Sequence, residues 1–472
     1  MSGTHQQPRS ELVRGLGAWD ATLLVIGSML GGGIFITTGD MARVLPHEGM
    51  ILLVWLAGGL LTLAGALTYA ELGVMFPRAG GIYHFLKEAY GPLPGFLYGW
   101  CCFLVIMSGG IAGIAVGTAE YLGTFVPFSA TANVLASATL GGFTWTLSGG
   151  QLVAAAAILL LTGINWLGLR EGATVQNLLT AIKIACVVGF VAAAFAAPAR
   201  APIALATALP HAGLAAAFGI AMVGALWTYD GWYGVTLSAG EMRDPGRHLP
   251  IALVAGTAAC VAMYALLNLV YFRGLSIAEI GASPRVAETA ATALLGGRGG
   301  QLLAAAVVIS SFGCLASTVL YSSRLYLPMA QDGLFFSSLA AVHPRYRTPG
   351  RSLWAQGVWA AVLALSGRYD QLYTYAIFIA VLFHVATGAA VFVLRRTRPD
   401  APRSYRTWGY PVVPALFILA SLALVVNTLV ERPLESLFGL GLLALGLPAY
   451  AYWRRSAAGV TGGGSGVDIL GR

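Results

Sequence analysis

Two ionisable side chains stand inside long apolar runs, where a charge is expensive. Lys183 lies in LLTAIKIACVVGF and Asp230 lies in ALWTYDGWYG. An ionised side chain at the centre of a bilayer costs at least about 2.5–3.5 kcal/mol, so both residues are candidates for function. Lys183 could bridge helices or exchange a proton inside a bundle, or it could extend to a lipid head group. Asp230 could contact a substrate, or it could cap a short helix that restarts at Gly231.

Three consecutive glycines interrupt the first apolar run. They are Gly31, Gly32 and Gly33. Each lowers helix propensity by about 1 kcal/mol relative to alanine, so the helix is expected to unwind there. N–H groups beyond such a break bind a carboxylate, and carbonyl groups before it, around Met29, bind an ammonium. A second break at Asp230 and Gly231 would offer carbonyl groups around Trp227. The two breaks together predict a midplane site for a solute that carries both charges.

Aromatic side chains surround the second break. They are Trp227, Tyr229, Trp232 and Tyr233. Such residues could form an interfacial belt, but their position beside Asp230 favours a pocket wall, with Trp227 and Tyr233 as gates and Thr228 as a neighbouring substrate contact. The partners predicted for Lys183 lie on a later apolar helix, where Cys314, Ser317 and Thr318 share one side at i, i+3 and i+4.

Composition excludes most other classes of protein. Hydrophobic residues make up 57% of the 472 residues and charged residues only 10%, against about 25% charged in ordinary soluble domains. The basic residues form short clusters between apolar runs, which excludes a nucleic-acid surface. The five cysteines and seven histidines lack ligand or disulfide spacing, so we expect no metal, no cofactor and no enzyme site. Glu71 is expected to pair with Arg78 or a loop.

Apolar runs between charged residues and Pro/Gly breaks predict an all-α polytopic membrane protein with about twelve spans. The predicted spans are 18–45, 50–76, 92–124, 150–168, 174–197, 212–240, 250–272, 300–328, 352–366, 370–394, 411–430 and 435–453. An even number of spans places both termini on one side. Taking that side as cytoplasmic places most of the 27 Lys and Arg there, as the positive-inside rule requires.

An odd number of crossings separates the two breaks, so they belong to two halves of opposite orientation. This arrangement is typical of an inverted repeat. The predicted organisation is a cytoplasmic tail at 1–17, a first repeat at 18–197, a second repeat at 212–394, a basic loop with two further spans at 395–455, and a Gly-rich tail at 456–472.

Four segments together carry a resemblance to a known family. They are IGSMLGGGIF, YAELGVMFPRAGGIYHFLKEAYGPLPGFLYGW, ALWTYDGWYG followed by EMRDPGRHLP, and SSRLYLPMAQDGLFF. Through these motifs the chain resembles the amino acid–polyamine–organocation (APC) superfamily of transporters over residues 17–455. Within that superfamily it is similar to the L-type amino acid transporter (LAT) group.

The resemblance implies a LeuT-like fold of five-plus-five inverted repeats with two extra C-terminal helices, and alternating access around one amino acid. It places the substrate carboxylate on the backbone of Gly31, Gly32 and Gly33, and the ammonium on carbonyl groups at Met29, Trp227 and Asp230. Trp227 matches the aromatic gate of the family. Lys183 matches a lysine of sodium-independent members, which would bridge the carbonyl group near Gly27 and span 8.

The chain also departs from the family pattern. Cys314 stands where members often have serine, so the span 8 partner of Lys183 is either Cys314 or Ser317. Gly32 replaces a usual serine and removes one hydroxyl group from the carboxylate site. Animal members join a glycoprotein through a cysteine between spans 3 and 4. Residues 125–149 contain no cysteine, so no disulfide-linked heavy chain is expected.

The sequence therefore predicts a sodium-independent L-amino acid exchanger or facilitator, with an amino acid and the lipid bilayer as its partners. We expect it in the cytoplasmic (inner) membrane of a prokaryote, with both termini cytoplasmic. The alternative is a proton-coupled amino acid or amine symporter in which Lys183 or Asp230 carries the proton. The preferred substrate side chain stays open.

Overall fold

The computed structural model describes residues 15–78, 80–140, 143–167, 172–200, 203, 213–343, 346, 348–366 and 369–461. Most of the two predicted tails, 1–17 and 456–472, therefore lies outside the described residues. The described α-helices are α1 (Ala18–Met29), α2 (Thr37–Val44), α3 (Glu48–Met75), α4 (Ile82–Tyr90), α5 (Pro92–Cys101), α6 (Met107–Leu122), α7 (Gly149–Trp166), α8 (Gly172–Ala196), α9 (Leu214–Tyr229), α10 (Pro245–Gly274), α11 (Ile277–Ala282), α12 (Val286–Gln331), α13 (Gly350–Ser366), α14 (Tyr369–Thr397), α15 (Val412–Glu431) and α16 (Pro433–Thr461).

Within the described ranges, 10 helices are long and apolar enough to cross a membrane. The two remaining predicted spans are the broken pair α1 and α2 and the 17-residue helix α13. The long helix α12 contains a residue with non-helical backbone, Gly296, where φ is 81°. That kink separates a short preceding helix from the span predicted at 300–328. The chain is a predominantly helical, multi-pass membrane protein, as its composition predicts.

Both predicted helix interruptions are present. Helix α1 ends at Met29, and a 3-10 turn over Gly33–Phe35 precedes α2. Helix α9 ends at Tyr229, and Gly231 adopts a φ of +95°, which side chains other than glycine rarely accept.

The short helix that was predicted to restart after the second break is a 3-10 helix over Trp232–Glu241. Two features of this segment favour the tighter winding. Gly234 has low α-helix propensity. The Thr236 hydroxyl donates to the Tyr233 carbonyl three residues earlier, at 2.7 Å.

The broken helices pack at the centre of the bundle. Helix α10 packs against both α1 and α3, and α12 packs against α6 and α8. Helices α14 and α15 pack against one another, as do α7 and α13. Many large apolar side chains of α15 and α16 are exposed, as expected of helices that face lipid. The unwound backbone is therefore surrounded by protein, the setting in which broken helices survive at membrane depth.

A β-hairpin between α6 and α7 was not predicted. Its strands, β1 (Val134–Leu140) and β2 (Phe143–Ser148), pair in antiparallel fashion. The sequence does carry a signal for it, since a Gly-Gly pair at 141–142 separates two runs that are rich in β-branched and aromatic residues. This signal was missed because the segment between α6 and α7 was considered only for the presence of cysteine.

Of the two alternatives expected for Glu71, pairing with Arg78 or with a loop, the structure shows the loop, together with Arg395 at the end of α14. Both carboxylate oxygens accept hydrogen bonds from Arg395, at 2.8 and 2.7 Å. The Thr407 N–H donates to the same carboxylate at 2.8 Å, and Arg403 Nε lies 3.4 Å from it. The physical reason is geometric, because a bidentate arginine fork satisfies a fully buried carboxylate better than a single contact does. The loop before α15 is thereby fastened to α3.

Candidate functional site

A central cavity of about 40 Å³ lies where the two helix interruptions meet. Eight predicted site residues line it: Met29, Gly31, Gly32, Gly33, Trp227, Thr228, Asp230 and Gly231. Cys314, predicted as a partner of Lys183, also lines it. The structure therefore brings together, around one cavity, residues that are about 200 positions apart in the chain.

Close backbone approach explains why glycine occupies key positions at the breaks. A side chain at Gly33 would place its Cβ 2.8 Å from Thr228 Oγ1. A Cβ at Gly231 would lie 3.0 Å from the Ser28 carbonyl oxygen, in addition to the unfavourable positive φ. At these positions, glycine allows the backbones of the two broken segments to approach one another.

Two hydroxyl groups connect the broken segments directly. The Ser28 hydroxyl lies 3.0 Å from the Gly231 carbonyl oxygen and 2.9 Å from that of Val25. The Tyr264 hydroxyl of α10 lies 2.6 Å from the Met29 carbonyl oxygen and 3.1 Å from that of Thr228. Sequence reasoning missed both hydroxyl residues, because a serine or tyrosine in an apolar run is also typical of a packed helix interface.

Two of the three carbonyl groups predicted to receive an ammonium, those of Met29 and Trp227, already have protein donors. The Met29 carbonyl accepts from Tyr264 and from the Gly31 N–H, the latter at 2.8 Å. The Trp227 carbonyl accepts from the Asp230 N–H at 3.1 Å. A carbonyl oxygen has two lone pairs, so the two bonds at Met29 use its ordinary capacity. An ammonium that binds Met29 would therefore share or replace the Tyr264 bond.

The two predicted gates occupy different places. The Trp227 indole lies against α6, where a Cβ at Gly113 would be 2.9 Å from its Cζ2 atom. Tyr233 is buried but is not among the cavity-lining residues, and its ring packs against Trp232, Tyr69 and His384. Trp227 is thus placed to cover the cavity, whereas Tyr233 lies behind it.

Further lining residues were not predicted. From α6 they are Met107, Gly110, Gly113, Ile114 and Gly117, from the π-helical turn before it Ile106, from α1 Ser28, and from α12 Tyr321. Glycines of a membrane helix are also typical of close helix packing, so they gave no specific signal of a cavity. Thr318, which the sequence placed on the face near Lys183, also lines the cavity.

Lys183 lies between α1 and α12. Its side chain is 4% exposed, and its Nζ atom donates to the Gly27 carbonyl at 3.2 Å. On the α12 side a Cβ at Gly313 would lie 3.8 Å from the lysine Cε. The Cys314 thiol donates to the Ser28 carbonyl at 3.6 Å, and the Ser317 hydroxyl donates to the Gly313 carbonyl at 2.8 Å. The Lys183 ammonium group therefore contacts the last full turn of α1, just before the first break.

The two ends of the central cavity are closed to different degrees. A vestibule of about 700 Å³ lies at one end and shares Gly117 with the central cavity. A hydrogen bond of 3.2 Å joins Thr228 of the central wall to Thr37 of the vestibule wall. At the opposite end, Arg324 of α12 pairs with Glu241 at 3.2 Å, and the Gly15 N–H donates to the Glu241 carbonyl. The cavity therefore adjoins an open space on one side and packed, paired side chains on the other.

The residues that the structure describes include no group of three or more His, Cys, Asp or Glu that could hold a metal ion. Polar contacts to the cavity come instead from backbone groups, hydroxyl groups and one carboxyl group. This arrangement suits a small polar solute.

Comparison with known proteins agrees with this geometry. The profile of the amino acid permease family matches residues 16–437. The serine/threonine exchanger SteT of Bacillus subtilis (strain 168) is 33% identical over 445 residues, covering 93% of this chain and 96% of SteT. The human b(0,+)-type amino acid transporter 1 is 30% identical over 432 residues, covering 91% of this chain and 85% of the human protein. The human large neutral amino acids transporter small subunit 2 is 30% identical over 456 residues, with coverages of 94% and 81%.

These relatives are transporters and not enzymes, and their similarity extends over nearly the whole chain. The chain belongs to the amino acid permease family of the APC superfamily and is an amino acid transporter with LAT-like relatives.

Proposed function

We propose that the protein is a sodium-independent exchanger of small neutral L-amino acids that works by alternating access. The small volume of the central cavity favours a short substrate side chain. The hydroxyl groups of Thr228, Thr318 and Tyr321 in its wall suit a substrate of the serine or threonine type. The name of the relative SteT, a serine/threonine exchanger, supports the same substrate class and the same mode of transport.

In this proposal the backbone of the first break binds the substrate carboxylate. The N–H groups of Gly32 and Gly33 lie at the start of the 3-10 turn that leads into α2, where a helix N-terminus favours an anion, and the Gly31 N–H joins them when it leaves the Met29 carbonyl. The ammonium binds near the Trp227 and Asp230 carbonyl groups on the second break, with the Met29 carbonyl available when Tyr264 releases it. Trp227 closes over the substrate from the second break.

The observation that carries sodium independence is the bond from Lys183 Nζ to the Gly27 carbonyl. A fixed ammonium there supplies the positive charge that a bound cation would otherwise supply between α1 and α12. Because it contacts α1 and packs beside Gly313, movement of α1 relative to α12 changes its surroundings. We propose Lys183 as the coupling residue, with Gly27, Cys314 and Ser317 around it.

We further propose that the protein lies in the cytoplasmic membrane with both termini cytoplasmic, and that it works without a disulfide-linked heavy chain. The basic residues at the end of α14 and in the loop that follows it, Arg395, Arg398 and Arg403, support this orientation. On that orientation the vestibule faces outward. The free cysteines all lie in helices or helical turns, and Cys186 of α8 is exposed.

The test uses purified protein in liposomes loaded with unlabelled serine, with labelled serine outside. Uptake should require internal amino acid and should be the same in sodium and choline buffers. Lys183→Ala should abolish exchange, whereas Lys87→Ala, which changes the other lysine of the chain, should retain it. Absence of uptake under every internal load, or uptake that requires sodium, would contradict the proposal.

A further inference from the structure

A second, smaller cavity adjoins the central one, and Asp230 lines both. Its volume is about 20 Å³, which is room for one water molecule. Its wall includes polar and aromatic residues from four parts of the bundle: Thr62, Asp230, Trp232, His384, Phe417 and Ser421. We call this space the side pocket. The proposed substrate-binding site does not include the side pocket.

His384 is held at the side pocket through one ring nitrogen. Its Nδ1 atom lies 2.6 Å from the Tyr69 hydroxyl. The rings of Trp232, Tyr233 and Phe417 surround the imidazole, with centroids 5.7, 5.2 and 6.4 Å away. In the tautomer whose Nδ1–H donates to the Tyr69 oxygen, Nε2 on the other side of the ring carries no hydrogen and can accept a proton or a hydrogen bond from water in the pocket.

Among the side chains that the structure describes, those that face His384 include a carboxyl group but no cation. From α3 they are Thr62 and Tyr69, from the second break Asp230 and Tyr233, and from α15 Phe417 and Ser421. Behind them, Tyr98 and Cys102 lie near Tyr69 and Tyr233. Neither cavity has lysine or arginine among its described lining residues. A carboxylate at Asp230 would therefore be a charge without a cationic partner in the cavity wall, which is costly in such surroundings.

We propose that Asp230, His384 and Tyr69 form a proton-binding site behind the substrate cavity. The proton resides on the Asp230 carboxyl group or, after transfer through the water of the side pocket, on Nε2 of His384. Transfer breaks the O–H bond of the Asp230 carboxyl group and forms an N–H bond at Nε2, while Tyr69 stays neutral and continues to accept the hydrogen bond from Nδ1–H of His384. Either placement compensates the Asp230 charge while a neutral amino acid occupies the cavity.

This inference rests on the proposed function, because it assumes that an amino acid binds in the central cavity. It adds that binding of a neutral substrate is linked to one proton. Proton binding and substrate binding are linked reciprocally. A proton that favours substrate binding therefore makes the affinity for the substrate depend on pH. Below the titration midpoint of the empty site the affinity is constant, and above it the affinity weakens by up to about tenfold per pH unit.

The test is calorimetric binding of L-serine to the purified full chain between about pH 5.5 and 8.5, the range in which histidine sites commonly titrate. Measurement in buffers of different ionisation enthalpy gives the number of protons taken up. We expect an uptake that approaches one proton above the midpoint, and none in Asp230→Asn. His384→Gln and His384→Asn cannot be protonated and remove one of the two proton positions. Both should therefore move the midpoint to lower pH.

His47→Gln, the same substitution at the start of α3 and outside the site, is the matched control and should keep the wild-type midpoint. Two results would overturn the proton site: serine binding with no proton uptake in the wild type, or wild-type midpoints in both His384 variants. If serine fails to bind at any pH, the proposed function itself fails. Serine binding with an affinity that does not change with pH would contradict only the proton site.

Discussion

The Tyr264 hydroxyl lies 2.6 Å from the Met29 carbonyl oxygen and also reaches the Thr228 carbonyl oxygen at 3.1 Å. One hydroxyl hydrogen thus serves the last turns of both broken helices. Tyr264 is fully buried, and its ring packs against Trp55 and Tyr229 at centroid distances of 5.5 and 5.0 Å. A rigid side chain on α10 therefore sets the spacing of the two breaks.

Tyr264→Phe should weaken serine exchange and lower thermal stability. The variant keeps the ring but removes the hydroxyl donor to the buried Met29 and Thr228 carbonyl groups, at a cost of about 1–3 kcal/mol. Tyr271→Phe is the matched control, because Tyr271 lies on the same helix and donates to only one carbonyl, that of Ile34, at 3.3 Å. Exchange kinetics and melting temperature of the two variants should differ clearly. Equal exchange kinetics and melting temperatures in the two variants would show that the paired hydrogen bonds of Tyr264 matter no more than the single bond of Tyr271.

Gly231→Ala should impair both folding and transport. The alanine side chain meets an unfavourable φ of +95°, which costs about 1–3 kcal/mol, and also approaches the Ser28 carbonyl oxygen at 3.0 Å. At Gly234, three residues later, a Cβ makes only an ordinary contact of 3.6 Å with Tyr321. Gly234→Ala should therefore be much milder in a thermal-melting assay. A ranking in the opposite order would refute the assigned backbone geometry.

Gly113→Ala tests the position of the proposed gate. Its methyl group would lie 2.9 Å from the Trp227 indole and would push the indole toward the cavity. Overpacking of this kind costs about 1–3 kcal/mol. If that cost falls on the substrate-bound state, serine affinity drops by roughly 5- to 150-fold. Gly110→Ala, whose methyl group would make a contact of 3.9 Å with the same indole, should bind serine nearly normally. Equal affinities in the two variants would place the gate elsewhere.

Local signals in the sequence were enough to predict both helix breaks. Three adjacent glycines and an Asp-Gly pair inside apolar runs are costly in any continuous membrane helix, whatever packs around them. The bond between Lys183 and Gly27 was expected only through the family resemblance, because nothing near Lys183 identifies a carbonyl 156 positions away. The role of Lys183 in coupling stays a prediction.

Tyr264, Ser28 and the α6 glycines could not be predicted in the same way. A tyrosine, serine or glycine in an apolar run fits a packed helix interface equally well. Their function depends on which backbone carbonyl or indole ring the fold brings opposite them. The Gly231 carbonyl, for example, is 203 positions from Ser28 in the chain. Only the three-dimensional packing distinguishes these residues from ordinary core positions.

Glu71 provides a stability prediction. The sequence left Arg78 and a loop as alternative partners, and it could not identify Arg395, which is 324 positions away and also binds the carboxylate. Removing one member of a buried, bidentate ion pair leaves the other charge uncompensated and typically costs about 3–5 kcal/mol. Glu71→Gln should consequently lower the melting temperature of the purified protein markedly. Glu435→Gln, which removes a partly exposed pair with Arg432 at 3.6 Å, should change it little, since such pairs contribute about 0–1 kcal/mol. If the two variants melt together, the loop before α15 is not anchored through Glu71.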